Sequence, residues 1–183
     1  MALKRIEDYG KNLPIVEIYT AVQSEGSRAG YPTVVVRTTG CTHRCYFGEG
    51  GWCDSWYTSI HPEKGEFNFN DIIKAYEDNP HIKEMMLTGG SPTMHPALVN
   101  ELTHSDYHIK PVWDGKDESA LAEILDCIER LEVPQDKVWF MPAGDSRESL
   151  FKSYPVLFDW VRDNGYRMTW RPHIIAFEDQ REV

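Results

Sequence analysis

The 183-residue chain is long enough to bury a core without disulfide staples and is read as one domain, residues 1–183. A formal net charge of −10 excludes broad nucleic-acid binding, which needs dense Lys and Arg against phosphate, while 41% hydrophobic and 26% charged residues are ordinary for a soluble globular protein. No stretch is apolar for long enough to act as a signal peptide or a membrane span, and four cysteines without an export signal read as reduced thiols, so a cytoplasmic protein is expected.

Val16 to Thr20 and Thr33 to Arg37 are β-branched runs that predict two strands, joined by the polar loop AVQSEGSRAGYP. A cysteine loop and its polar continuation run to about residue 68, and Asn70 is expected to cap a helix over DIIKAYEDN. Met85 to Thr88 predicts a short strand ending in Gly89-Gly90, Pro96 to Leu102 a helix, and His108 to Trp113 a strand. Ser119 to Leu131 has the clearest helical periodicity, with Leu121, Ile124, Leu125 and Ile128 on one face. Cys127 lies on that stripe and reads as a small buried hydrophobe. Lys137 to Met141 predicts a strand, Arg147 to Asp163 a helix over most of its length, and Arg167 to Phe177 a last extended segment.

Strands separated by helices imply βαβ units and a mostly parallel sheet. With about six strands and fewer full helices, the expected fold is α/β, a partial, shortened (β/α)6-type barrel. Such sheets bind ligands at the carboxyl ends of their strands. The cysteine loop, Gly89-Gly90, Lys110 and Met141-Pro142-Ala143-Gly144 all fall near such ends, so one mouth is expected to collect them.

Cys41, Cys45 and Cys53 lie within thirteen residues, in GCTHRCYFGEGGWCDS, with the spacing C-x3-C-x7-C. Three thiolates without an obvious fourth ligand fit an iron–sulfur cluster whose last iron stays open to a substrate. A zinc site completed by His43 is the alternative, although the second cysteine or histidine pair of a zinc finger is missing. Trp52 sets a flat ring beside the third cysteine, either as a stacking surface for a nucleoside or as an apolar shield. His95 and His104 read as surface residues.

The loop resembles the radical S-adenosylmethionine (SAM) signature C-x3-C-x-aromatic-C, with FGEGG inserted between Tyr46 and Trp52. EIYTAVQSEGSRAGYPTVVVRTTGC followed by WCDS resembles, more closely, the 7-carboxy-7-deazaguanine synthase family, whose marks are Q-x-E-G, R-T-x-G-C and C-D-S or C-D-T. TGGSP, IKP, FMPAG and YRMTWRPHIIAF follow in the order of that family's later motifs. Besides the FGEGG insertion, W-R-P replaces the usual P-Q-L before the closing histidine, and Met141 stands where a glutamine is common.

The resemblance implies a shortened radical SAM barrel and a lyase that converts 6-carboxy-5,6,7,8-tetrahydropterin to 7-carboxy-7-deazaguanine with release of ammonia, in 7-deazapurine (queuosine-type) biosynthesis. It implies a 4Fe-4S cluster on Cys41, Cys45 and Cys53, and magnesium on Ser55. SAM would meet Trp52, Asp54, Gly89, Gly90, His108, Lys110, Met141, Pro142 and Ala143. The pterin would meet Gln23, Glu25, Arg37, Thr88, His173 and the carboxylate of Val183. A homodimer and a flavodoxin-type electron donor are expected, with no direct nucleic-acid or membrane partner. A glycyl-radical activase and a non-catalytic metal-binding module are the alternatives; the activase leaves QSEG, CDS and the terminal segment unexplained.

Overall fold

The computed structural model describes residues 12–42, 55–59, 61–63, 65–103 and 106–177. Strand β1 (Ile15–Val22) pairs antiparallel with β2 (Pro32–Thr38), because the short connection between them allows a hairpin and no crossover. Strand β3 (Glu84–Gly89) adds parallel to β2, giving a first sheet in the order β1-β2-β3. The second sheet, β4 (Val112–Trp113), β5 (Trp139–Pro142) and β6 (Arg167–Met168), is parallel throughout. The expected α/β class with mostly parallel pairing is observed. The expected partial barrel is not drawn by strand pairing: among the described residues the strands form two separate three-stranded sheets.

β2 is the centre of the first sheet, and Thr33, Val34, Val35 and Val36 are all buried, as a strand covered on both faces requires. Val34 and Val36 face outward to Ile15, Ile72, Ile82 and Leu98, with helices α2 (Phe69–Glu77) and α3 (Pro96–Leu102) over them. The alternate residues Thr33, Val35 and Arg37 share the opposite face with their neighbours Tyr19, Glu17, Met86 and Thr88. The second sheet packs Trp113, Val138 and Phe140 against Ile128 of α4 (Glu118–Arg130) and Leu157 and Val161 of α5 (Arg147–Asn164). Phe140, Trp160 and Tyr166 close that core, with the Trp160 and Tyr166 rings stacked at 5.5 Å.

Several predicted elements shift. The cap of α2 is Asn68: its side chain accepts from the Asn70 backbone N–H, while Asp71 accepts from the Asn68 backbone N–H. Starting there places Phe67 and Phe69 on the core beside Ile72, which a cap at Asn70 would not do. The strand expected from His108 to Trp113 is reduced to a bridge at Ile109 and the two residues of β4, since Pro111 between them lacks an N–H for the ladder. The last segment is extended only over β6; Pro172 then opens helix α6 (Pro172–Phe177), which buries Ile174 against Leu150 and Tyr154. α5 runs through Pro155 to a left-handed cap at Gly165. Cys127 on α4 is half-buried, at the margin of the core rather than inside it.

Truncating the centre of the second core should be severe: Phe140→Ala is expected to lower unfolding free energy by about 3–5 kcal/mol, read from the shift of the urea midpoint.

Candidate active site

The carboxyl ends of β2 and β3 lie side by side, with Thr38 opposite Gly89. Past this pair the chain turns at Gly40, whose N–H donates to the Thr58 carbonyl and whose own carbonyl accepts from the Ser91 N–H. Gly90 donates to the Thr38 carbonyl. The two glycines answer to this packing. A Cβ on Gly89, which has φ +119°, would lie 2.3 Å from the Thr38 oxygen, and one on Gly90 would lie 2.1 Å from the Gly40 oxygen. His95 is a correction: rather than a surface residue, it is half-buried and its Nε2 lies 2.7 Å from the Thr39 carbonyl. Gly89-Gly90, Ser91 and His95 thus fix the backbone that delivers Cys41, a half-buried thiol, to the strand ends. Cys45, Trp52, Cys53, Asp54 and Val183 lie outside the described residues, as do His43 and His104. Ser55 opens helix α1 (Trp56–Ser59), and its carbonyl accepts from both the N–H and the hydroxyl of Thr58. Cys41 suits thiolate ligation of a cluster, and the Ser55 hydroxyl has the oxygen chemistry that magnesium prefers.

The inner face of the first sheet carries an ionic row at this end. Arg37 Nε donates to Glu17 Oε1 at 2.5 Å, and its Nη2 donates to the Tyr19 hydroxyl at 2.8 Å. The Tyr57 hydroxyl donates to the same Glu17 oxygen, and the guanidinium carbon lies 5.8 Å and 5.7 Å from the Tyr19 and Tyr57 ring centres. Thr88 sits beside Arg37 on β3. Tyr57 belongs to α1, so Arg37 is joined to the segment that follows the cysteine loop.

Glu25 anchors a second cluster. The loop after β1 is closed by the Gln23 N–H on the Tyr31 carbonyl and the Gly30 N–H on the Gln23 carbonyl. Gly26 takes φ +72°, donates its N–H to the Thr169 hydroxyl at 2.6 Å, and lies so close to His108 that a Cβ would meet Nε2 at 2.4 Å. Glu25, turned inward by this bend, is 7% exposed. Its Oε2 accepts from Lys110 Nζ at 2.9 Å and its Oε1 from Arg171 Nε at 3.3 Å, with His173 Nε2 at 3.6 Å. Burial alone would raise the Glu25 carboxyl, but Lys110, Arg171 and His173 outweigh it and bring the pKa down to about 2. Glu25 is therefore a fixed anion at neutral pH. Gln23 Oε1 lies 3.4 Å from Lys110 Nζ and accepts from the Glu25 backbone N–H. His173 pairs with Ser24 at 2.6 Å. His108 faces Ser27, and burial, then Lys110 and Arg28, push it down to about 4, so it is neutral at pH 7.

The predicted residues thus sort into groups. Gln23, Glu25, Lys110 and His173 come together, so Lys110, expected with SAM, sits with the residues expected to hold the pterin. Arg37 and Thr88 form a second group on the same inner face, separated from Glu25 by the row of Tyr19, Val35 and Met86. Met86 links them, its sulfur 3.2 Å from Lys110 Nζ. Met141, Pro142 and Ala143 are buried at the carboxyl end of β5, with Met141 on the opposite face from Phe140. Sequence reasoning missed Glu17, Tyr19, Tyr57 and Arg171. The first has a signal, a charge on β1 directly across from Arg37; Arg171 has only its place in the altered W-R-P segment.

The molecule is an α/β protein with a cysteine loop following a parallel strand end, a half-buried ionic cluster at Arg37 and a buried one at Glu25. By sequence it is similar to several 7-carboxy-7-deazaguanine synthases. It is 39% identical to that enzyme of Halobacterium salinarum over 54% of this chain and 38% of the relative. It is 24% identical to the Rhodopirellula baltica enzyme over 93% and 88%, and 35% identical to the Leptospira interrogans enzyme over 42% and 33%. The matched segments therefore span well under half the length of the first and third of these. The crystal structure of QueE from Escherichia coli aligns with a TM-score of 0.47 at 16% identity, covering 86% of this chain and 93% of that one. No protein-family profile matches the chain. Among the described residues no helix is long and apolar enough to cross a membrane.

Two outcomes check this geometry. Because folding depresses the Glu25 carboxyl, the stability it contributes is complete above about 4.5 and is lost as pH falls towards about 2. Glu25→Gln should flatten that acid limb and, by leaving Lys110 and Arg171 without their anion, cost about 3 kcal/mol at pH 7, read by denaturant unfolding across pH. Gly90→Ala should cost about 2 kcal/mol through the clash with Gly40, read the same way.

Proposed function

We propose that the chain is a radical SAM lyase that contracts 6-carboxy-5,6,7,8-tetrahydropterin to 7-carboxy-7-deazaguanine with release of ammonia. The observation that carries this reading is the buried, ionised Glu25 with Gln23 beside it, on the inner face that also bears Arg37. An aminopyrimidinone edge offers several N–H donors. A carboxylate held below its usual range accepts from them without taking their proton. Gln23 adds a neutral contact, and His173, steadied by Ser24, borders the same space.

Arg37 is the partner proposed for the substrate carboxylate. In this structure Nε donates to Glu17 and Nη2 to Tyr19, two of the five guanidinium N–H groups, so a ligand carboxylate would be taken by the hydrogens on Nη1 and the second on Nη2. Thr88 lies next to it on the same row. The two sheets are proposed to be halves of a shortened barrel enclosing these residues, with side chains from β3 and the β4 approach meeting at Met86 and Lys110.

Cys41, Cys45 and Cys53 would hold a 4Fe-4S cluster, Ser55 would hold magnesium, and Trp52, Asp54, Gly89-Gly90, His108, Lys110 and Met141 to Ala143 would bind SAM. When bound, the cluster and SAM supply a carbon-centred radical able to remove a hydrogen atom from the substrate. The protein's part is to exclude water, orient the pterin between Glu25 and Arg37, and keep Glu25 deprotonated throughout. A homodimer and a flavodoxin-type electron donor complete the proposal.

Anaerobically reconstituted protein should absorb broadly near the visible region typical of a 4Fe-4S cluster and, with SAM, magnesium, reductant and the carboxypterin, yield the deazaguanine by mass spectrometry. Cys41→Ala, Cys45→Ala and Cys53→Ala should each abolish both signals. A colourless zinc protein, or SAM cleavage without the deazaguanine, would overturn the assignment.

A further inference from the structure

Arg171 is buried to 7% exposure, in a segment where nothing in the sequence pattern calls for a cation. Its guanidinium makes two contacts of different character. Nε donates to Glu25 Oε1 at 3.3 Å, and Nη1 donates to the Gly144 carbonyl at 2.8 Å, directly after Met141-Pro142-Ala143. Its backbone N–H donates to the Tyr154 hydroxyl, which pins the segment between β6 and α6 to α5. Lys110 holds the other Glu25 oxygen, so both oxygens of one carboxylate are engaged by cations from different parts of the chain. A carboxylate gripped on both oxygens cannot rotate freely.

The geometry points to Arg171 as a positioning residue for substrate recognition, a role that rests on the lyase reading. It fixes the orientation of Glu25 and ties that acceptor to the Met141–Gly144 turn, so the substrate-binding and SAM-binding sides of the cavity are held at a set separation. Arg171 stands where the P-Q-L motif of the resembling family has its glutamine. A glutamine there keeps a donor but lacks the charge and the fork that reaches both Glu25 and Gly144. The cluster of Lys110, Arg171 and Glu25 carries one positive charge in excess, with His173 adjoining, and this favours a ligand that brings an anionic group.

The test uses full-length, cluster-loaded protein. Arg171→Gln should raise KM for the carboxypterin roughly tenfold, the worth of one hydrogen bond to a charged group, while kcat, KM for SAM and iron content stay within about twofold. Arg171→Lys should recover most of the loss. A fall in kcat with KM unmoved, or loss of iron, overturns the proposal. A second readout needs no substrate: in a double-mutant cycle on unfolding, Arg171→Gln should destabilise wild type but add little to Glu25→Gln. Additive losses overturn the proposal whatever the reaction. If wild type fails to convert the pterin yet the cycle shows coupling, the lyase reading falls and the Arg171–Glu25 restraint remains.

Discussion

The pairing of Glu25 with Lys110 and Arg171 spans a gap between two sheets that strand pairing among the described residues leaves open. Strands β1 to β3 form one sheet and β4 to β6 another. Glu25 belongs to the loop after β1, Lys110 to the approach to β4, and Arg171 to the segment after β6. Charges buried this deeply are costly unless each meets an opposite partner, and an ion pair tolerates only a narrow range of separations in low dielectric. The cluster therefore acts as a gauge for the space between the sheets. Three segments distant in sequence must arrive together before any one of them is stable there.

At the carboxyl ends of β2 and β3 the constraint is steric. Thr38, Gly40, Gly89 and Gly90 approach so closely that side chains at Gly89 and Gly90 are excluded, and hydrogen bonds from Gly40, Gly90 and Ser91 tie the start of the cysteine loop to β3 and to α1. A glycine pair at a strand end is easily assigned to ligand access. Here the backbone crowding of the scaffold is reason enough for both residues, and any ligand contact would be additional. The loop that carries Cys41 thus leaves a rigid platform, as a site for reactive chemistry requires.

Much of the fold was legible because local pattern and tertiary demand agree. The run Thr33 to Val36 has the β-branched composition of a strand buried on both faces, and the stripe on α4 matches the face that packs on the second sheet. Elements misplaced at their ends show where local signals compete. Two asparagines in NFND both suit a cap, and only the burial of Phe67 and Phe69 decides between them. Ile174 and Ile175 favour a strand by propensity, yet Pro172 at the first helical position and the contacts of Ile174 with Leu150 and Tyr154 prevail. For the site, Gln23 and Glu25 could be named through their motif, but their partners could not. Arg171 lies 146 residues from Glu25, and no periodicity links two residues that meet only after both sheets have formed. Glu17 was within reach, since the antiparallel register of β1 and β2 sets it across from Arg37.

The contact between Glu17 and Arg37 bears on how this arginine meets small anions in a crowded cell. An arginine already paired with a neighbouring carboxylate carries a largely neutralised field, so phosphate, sulfate or stray metabolites are drawn to it weakly even though Nη1 has hydrogens to give. A molecule that gains further contacts on the same face overcomes that weak attraction, whereas a small anion has nothing more to gain. Discrimination would then begin before any chemistry, with the protein's own side chain serving as a doorkeeper.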